Sequence, residues 1–264
     1  MRIAWGVVCA LAAHGAGVEI TLLQPPVIQE RLELVSKKLP ERRATLEKLF
    51  TDAGCEVATQ PVRGSKEPNL SCTLKGADPD TGVILVGGHF DLITAGMGAI
   101  DDWSGSVMLP SLYESLKSVP RRHDFVFVAF AAEEAGLVGS REYVNKLSPP
   151  QRKAIHAMVN LECLGLEEPK VWGSRADPKL LESYARVISA LHIPPAVVNV
   201  EKVGDDDAHS FHDAGIPTLT IHSITPQTFP LLHSSKDKVS AIKPEAYYTT
   251  YKMVATLLAY LDSL

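Results

Sequence analysis

A histidine or a carboxylate closes, or stands just beyond, five separate apolar stretches of the chain. His89 sits in Gly87-Gly88-His89-Phe90-Asp91, and Asp101 in Ala99-Ile100-Asp101-Asp102-Trp103-Ser104-Gly105. Glu134 follows in Ala132-Glu133-Glu134-Ala135-Gly136, Glu162 in Asn160-Leu161-Glu162, and His233 in His233-Ser234-Ser235-Lys236-Asp237. Imidazole and carboxylate suit zinc, and a carboxylate can bridge two ions where one neutral nitrogen cannot. Two histidines and three acids offer each of two ions about four contacts, once one Asp and one water are shared. Asp91, two residues past His89, can accept that ring's other N–H and fix its tautomer. Glu133 and Glu134 can divide the work, one holding metal and the other acting as a base on the attacking water.

Taken singly, each residue has a plain structural reading. A strand-end His is commonly a hydrogen-bonded edge residue. Asp101-Asp102 can cap a helix starting at Ser104. Glu133-Glu134 can be a solvated helix start, and Glu162 a lone exposed acid. It is their common address that argues for chemistry. In open α/β sheets, sites form in the crevice beyond the C-terminal strand ends, and these five belong to that rim.

The elements that must hold them follow from periodicity and punctuation. Helices are expected at Val27–Lys38 and Glu41–Asp52, separated by Pro40 and ended by Gly54. Cys55–Val62 and Asn69–Lys75 read as strands, with a Gly-containing turn between them. Gly82–Gly88 and Asp124–Ala131 are continuous apolar runs, the mark of strands covered on both faces. Ala157–Leu161 and Thr218–His222 are further core strands. Helices fall at Ser104–Ser118, Leu137–Leu147, Pro178–Leu191 and Glu245–Leu261, the first expected to kink at Pro110. Strands alternating with helices predict a single three-layer α/β domain, a mostly parallel mixed sheet with helices on both faces.

Composition narrows the function classes. The 264 residues are 45% hydrophobic and 22% charged, with net charge −5, so no basic field exists for nucleic acid or anionic lipid. Arg2 and the apolar run Ile3–Ala13, followed by small residues to Gly17, read as a signal-peptide core cleaved near Gly15 or Ala16. The alternative is a buried first strand or helix. The signal reading makes 1–16 a leader, 17–264 the working domain, and the destination secreted or periplasmic. The run is too short to span a bilayer. Cys55 and Cys72 lie almost equally far from the turn at Arg63-Gly64, so a hairpin would let them bridge. Cys163 has no evident partner and reads as a small buried hydrophobe.

The runs GGHFD, GAIDDWSG, VFVAFAAEEAGLVGS, VNLECLG and HSSKDKV, in that order between Val83 and Val239, resemble the family of secreted bacterial leucyl aminopeptidases. Glutamate carboxypeptidase II, the transferrin receptor and glutaminyl cyclase share that family's fold. The resemblance implies a zinc exopeptidase with two ions per chain and peptides with a free N-terminus as substrates. It makes Asp101 the bridging ligand, with a cis bond to Asp102. His89 and Glu162 would complete one site, Glu134 and His233 the other, and Glu133 would be the general base. Asp205–Asp207, Ser210-Phe211 and Gly215-Ile216-Pro217 resemble the substrate-side segment, with Asp207, Ser210 and Phe211 as substrate-binding candidates. Asp caps on a short helix explain that segment equally well.

Three positions depart from the family pattern. Glu162 stands where Asp is usual, Leu232 where many members carry an oxyanion-stabilising Tyr, and Pro110 inside a helix that is normally regular. Glutaminyl cyclase, which uses a single zinc, is the enzymatic alternative, since Thr225–Pro230 resembles its lid. The Glu133-Glu134-Ala135-Gly136-Leu137 run is closer to the aminopeptidases. A non-catalytic, receptor-like domain would have lost ligands that this chain keeps. With no added domain, a monomer is the default expectation.

Overall fold

The apolar run that ends in His89 becomes the middle strand of a seven-stranded sheet. The computed structural model describes residues 5–13, 16–78, 80–201 and 204–264. In chain order the strands are β1 (Trp5–Ala13), β2 (Ala16–Leu22), β3 (Ala58–Gln60), β4 (Asn69–Leu74) and β5 (Val83–His89). They continue with β6 (Asp124–Phe130), β7 (Ile155–Glu162), β8 (Lys170–Val171) and β9 (Thr218–His222). The helices are α1 (Pro25–Leu32), α2 (Leu39–Asp52), α3 (Ser104–Leu116) and α4 (Val138–Lys146). α5 (Pro149–Ala154), α6 (Pro178–Ala190), α7 (Ala208–His212) and α8 (Pro244–Asp262) complete the set.

The sheet order is β3-β4-β6-β5-β7-β9-β8. Its four central strands, β6, β5, β7 and β9, run parallel, β4 and β8 run antiparallel to them, and β3 at the edge pairs antiparallel with β4. This is the mixed three-layer α/β sheet expected. The central strands carry apolar side chains on both faces because both are covered. Along β6, Phe125, Phe127 and Ala129 enter the larger core, whereas Val128 and Phe130 enter a smaller one on the opposite face. The larger core packs under α1, α2, α3, α6 and α8. The smaller one collects Leu85, Met158 and Phe211 beneath α4 and α7.

Several boundaries differ from expectation, and each has a local cause. α1 stops at Leu32, and beyond it the Ser36 carbonyl is held by Arg42 Nε at 2.6 Å, which turns the chain into α2. β3 covers only Ala58–Gln60, where it pairs with β4. α3 continues through Pro110 as a single helix, with no interruption of the Ser104–Leu116 span. Residues 5–13 and 16–22 pair as antiparallel strands, β1 with β2. Cys55 and Cys72 are joined in a disulfide, with Cα atoms 6.1 Å apart. Among the described residues no helix is long and apolar enough to cross a membrane.

Candidate active site

β5, β6 and β7 end side by side, and parallel register puts His89 opposite Phe130. The next residues of each strand therefore meet at one rim. His89 is 1% exposed, and its Nε2 faces Asp101 Oδ1 at 3.2 Å, Glu162 Oε1 at 3.6 Å and Glu133 Oε2 at 3.8 Å. Its Nδ1 faces Asp91 Oδ1 at 3.3 Å, an ion-pair contact rather than a well-directed hydrogen bond. Asp101 turns its other oxygen, Oδ2, to His233 Nε2 at 3.0 Å, and the same nitrogen lies 3.2 Å from Glu134 Oε2. One carboxylate thus stands between two imidazoles.

The peptide between Asp101 and Asp102 is cis. It points the two neighbouring carboxylates to different tasks. Asp101 faces the histidines. Asp102, fully buried, accepts the backbone N–H groups of His89 (3.2 Å), Gly105 (3.0 Å) and Cys163 (3.0 Å). It ties β5, α3 and the end of β7 together. Gly105 is required for that approach, since a Cβ there would lie 2.5 Å from the Leu161 carbonyl and closer still to Asp102. Asp91 does similar work beside it, accepting the N–H groups of Glu133 at 3.0 Å and Glu134 at 3.1 Å. The residue expected to orient His89 therefore also fixes the turn that carries Glu133 and Glu134.

Two further organisers escaped the sequence reading. Arg42 is fully buried on α2, and its guanidinium donates to the carbonyls of Phe90 (3.0 Å), Asp91 (3.3 Å) and Gly98 (2.8 Å). It also lies over the Trp103 ring at 5.4 Å. Burial lowers its pKa to about 10, against the opposing pull of Asp237, Asp102, Asp91 and Asp101. Asp237 Oδ1 accepts the Ile100 N–H at 2.7 Å and so holds the turn just before Asp101. No local pattern announces either contact, because each joins residues 48 or more positions apart.

The electrostatics are those of crowded acids around two imidazoles. Burial pushes Glu133 up to about 10, with His89 opposing and Asp207 and Glu162 adding to the rise. Burial likewise pushes Glu134 up to about 7. Burial alone would discharge His89, but Glu133, Asp101, Asp91 and Glu162 outweigh it and hold the ring well above its ordinary pKa. The hydrogen bond to Asp101 raises His233 to about 9. Such a surplus of negative charge is what a divalent cation relieves. The donors fit zinc: Asp101, Glu134 and His233 each place one atom within 4.8 Å of the others, and so do His89, Asp102 and Glu162. Asp102's oxygens are already engaged with backbone N–H groups, so an ion at the second cluster would be held by His89 and Glu162 with Asp101.

The site opens into a cavity of about 310 Å³ lined by Glu133, Glu134, Trp172, Ile224, Phe229 and Leu232, among others. The three substrate-side candidates lie elsewhere. Asp207 is fully buried behind the site, its two carboxylate oxygens have no hydrogen-bond partner among the described residues, and burial raises its pKa to about 8. Ser210 Oγ is 2.9 Å from Ser140 Oγ, which joins α7 to α4. Phe211 packs on Phe130 and Tyr143 in the smaller core. None of the three is among the residues lining that cavity.

Comparison with known proteins agrees with this geometry. The sheet and its rim define an α/β fold of the zinc-exopeptidase type. The model of peptidase family M28 matches residues 69–258, and the chain belongs to that family. Aminopeptidase YwaD of Bacillus subtilis is 28% identical over 230 residues, covering 83% of this chain and 48% of YwaD. The solved structure of BSAP, a zinc aminopeptidase from Bacillus subtilis, superposes with a TM-score of 0.67 at 26% identity, covering 73% of this chain and 49% of that one. Porphyromonas gingivalis glutaminyl cyclase shares the fold, with a TM-score of 0.70 at 16% identity over 89% of this chain and 96% of its own. The chain spans about half the length, or less, of the curated relatives it matches.

Proposed function

We propose that the chain is a two-zinc aminopeptidase that removes N-terminal residues from peptides. The observation that carries this reading is the shared carboxylate: Asp101 offers one oxygen toward His89 and the other toward His233. His89, Asp101 and Glu162 would hold one ion, and Asp101, Glu134 and His233 the other. Bound zinc supplies Lewis-acid polarisation of a carbonyl and lowers the pKa of water.

The chain's own residues do the rest. Glu133, on the same turn as Glu134 but free of its contact with His233, takes a proton from the attacking water and returns it to the leaving amine. A carboxyl whose surroundings favour its protonated form suits that second transfer. Asp91 and Asp102 hold Glu133, Glu134 and His89 in place through backbone N–H groups. The apolar cavity wall of Trp172, Ile224, Phe229 and Leu232 receives the side chain of the residue to be released. Asp207, Ser210 and Phe211 lie outside that wall, where Ser210 and Phe211 pack α7 against α4. The working unit is the monomer of 17–264, and the leader reading of 1–16 places it outside the cytoplasm; N-terminal sequencing of exported protein checks that cleavage.

Mass spectrometry of digested peptides tests the activity. Stepwise loss of residues from free N-termini, blocked by N-acetylation, is the expected result. Loss of ammonia from a glutaminyl peptide, with no residue released, would replace this reading with a cyclase.

A further inference from the structure

Cys163 follows Glu162 at the end of β7, and its side chain is free of any disulfide, 2% exposed and turned to the active-site cavity. Its backbone is held on both sides. The N–H donates to Asp102 Oδ1 at 3.0 Å, and the carbonyl accepts the Ser223 N–H at 3.2 Å. Its position is therefore as well defined as that of the acids around it. A buried thiol ordinarily packs as a small hydrophobe. Here Sγ donates to Glu162 Oε1 at 3.2 Å, the same oxygen that faces His89 Nε2 at 3.6 Å. Asp101, Glu162 and Cys163 each place one donor atom within 4.8 Å of the other two.

We propose that Cys163 Sγ is a ligand of the metal ion held on the His89 side of Asp101. The inference rests on the two-metal reading of the site and adds to it a donor of another element. Ligation forms one sulfur–metal bond and releases the thiol proton to solvent, with no change of oxidation state. The thiolate then takes a fourth position beside His89, Asp101 and Glu162. A sulfur donor also biases the His89 side toward thiophilic ions over hard ones such as magnesium or manganese.

The test is the electronic spectrum of the full chain loaded with cobalt(II), with cobalt counted per chain. A sulfur-to-cobalt charge-transfer band in the near ultraviolet is expected in the wild type, and its loss in both Cys163→Ser and Cys163→Ala. In cadmium–zinc competition, the same Cys163 variants should lose about tenfold in preference for cadmium. Bound cobalt with no such band in the wild type would overturn the ligation and leave the two-metal reading standing, the thiol then serving only as a hydrogen-bond donor to Glu162. Failure of the wild type to bind cobalt at all would overturn both.

Discussion

His89 and His233 present the same imidazole to opposite oxygens of Asp101, yet they are held in different ways. His89 ends a central strand, is 1% exposed, and has its backbone N–H bound by Asp102 and its neighbouring carbonyls bound by Arg42. His233 stands on a loop at positive φ, with its side chain 56% exposed. One half is set by the sheet before anything binds. The other is delivered by a segment whose only elements nearby are short turns at Phe229–Leu231 and Val239–Ala241. Preorganised ligands lose less freedom on binding, so the His89 half should hold metal more tightly and the His233 half should exchange it.

The largest effect expected comes from the candidate base, Glu133, which faces His89. Glu133→Gln should lower kcat by about 10²–10⁴-fold with metal content unchanged, measured on aminoacyl-p-nitroanilides. A parallel loss of metal would make Glu133 a ligand and erase the distinction from Glu134. Chelator titration then separates the halves: the first ion should leave at a chelator concentration at least about tenfold lower than the second, and His233→Ala should remove only that weaker ion. His89→Ala should lose the tighter one. Equal release of both ions would break the comparison.

Arg42→Ala should destabilise the fold by about 4 kcal/mol in urea unfolding, because it strands several buried carbonyls. Arg42→Lys should recover only part, since an ammonium cannot span the same set of carbonyls. The variant that folds should lose affinity on the His89 side first. A smaller effect comes from a third imidazole beneath the His233 loop. His222 bonds through both ring nitrogens, to the Val198 carbonyl at 2.9 Å and to the Ile224 N–H at 3.1 Å, and burial holds its pKa down to about 4 from 6.5. Above pH 6.5 neither folded nor unfolded chain charges it. As pH falls from there to about 4, the unfolded chain takes up a proton that the folded one refuses, and about 3 kcal/mol of stability is lost. Denaturation across that window, compared with His222→Gln, reads the difference.

The rim was legible in the sequence because each of its five His and acidic residues closes or follows an apolar run, and such runs announce strands that leave few choices about where their ends lie. The Cys55–Cys72 pair was legible for a related reason, since it depends on a hairpin, whereas the cis bond at Asp101 was expected from the family resemblance alone. Arg42 and Asp237 were not. Their partners are distant in sequence, and nothing about a lone Arg on a helix says that it will be buried against the carbonyls of Phe90, Asp91, Met97 and Gly98. The direction of α7 was hidden too. A five-residue helix has too few turns to show a periodic face, so whether Ser210 and Phe211 meet a ligand or α4 is decided by packing. Residues 5–13, read as a leader core or a first strand, pair with β2, a match that depends on a partner strand rather than on the run itself.

Metal analysis of purified protein, wild type beside Asp101→Asn, tests the shared carboxylate most directly. About two zinc ions per chain in the wild type, falling to one or fewer in the variant with hydrolysis lost, is the result expected of a bridging ligand. A single zinc in the wild type, retained in Asp101→Asn, would contradict it.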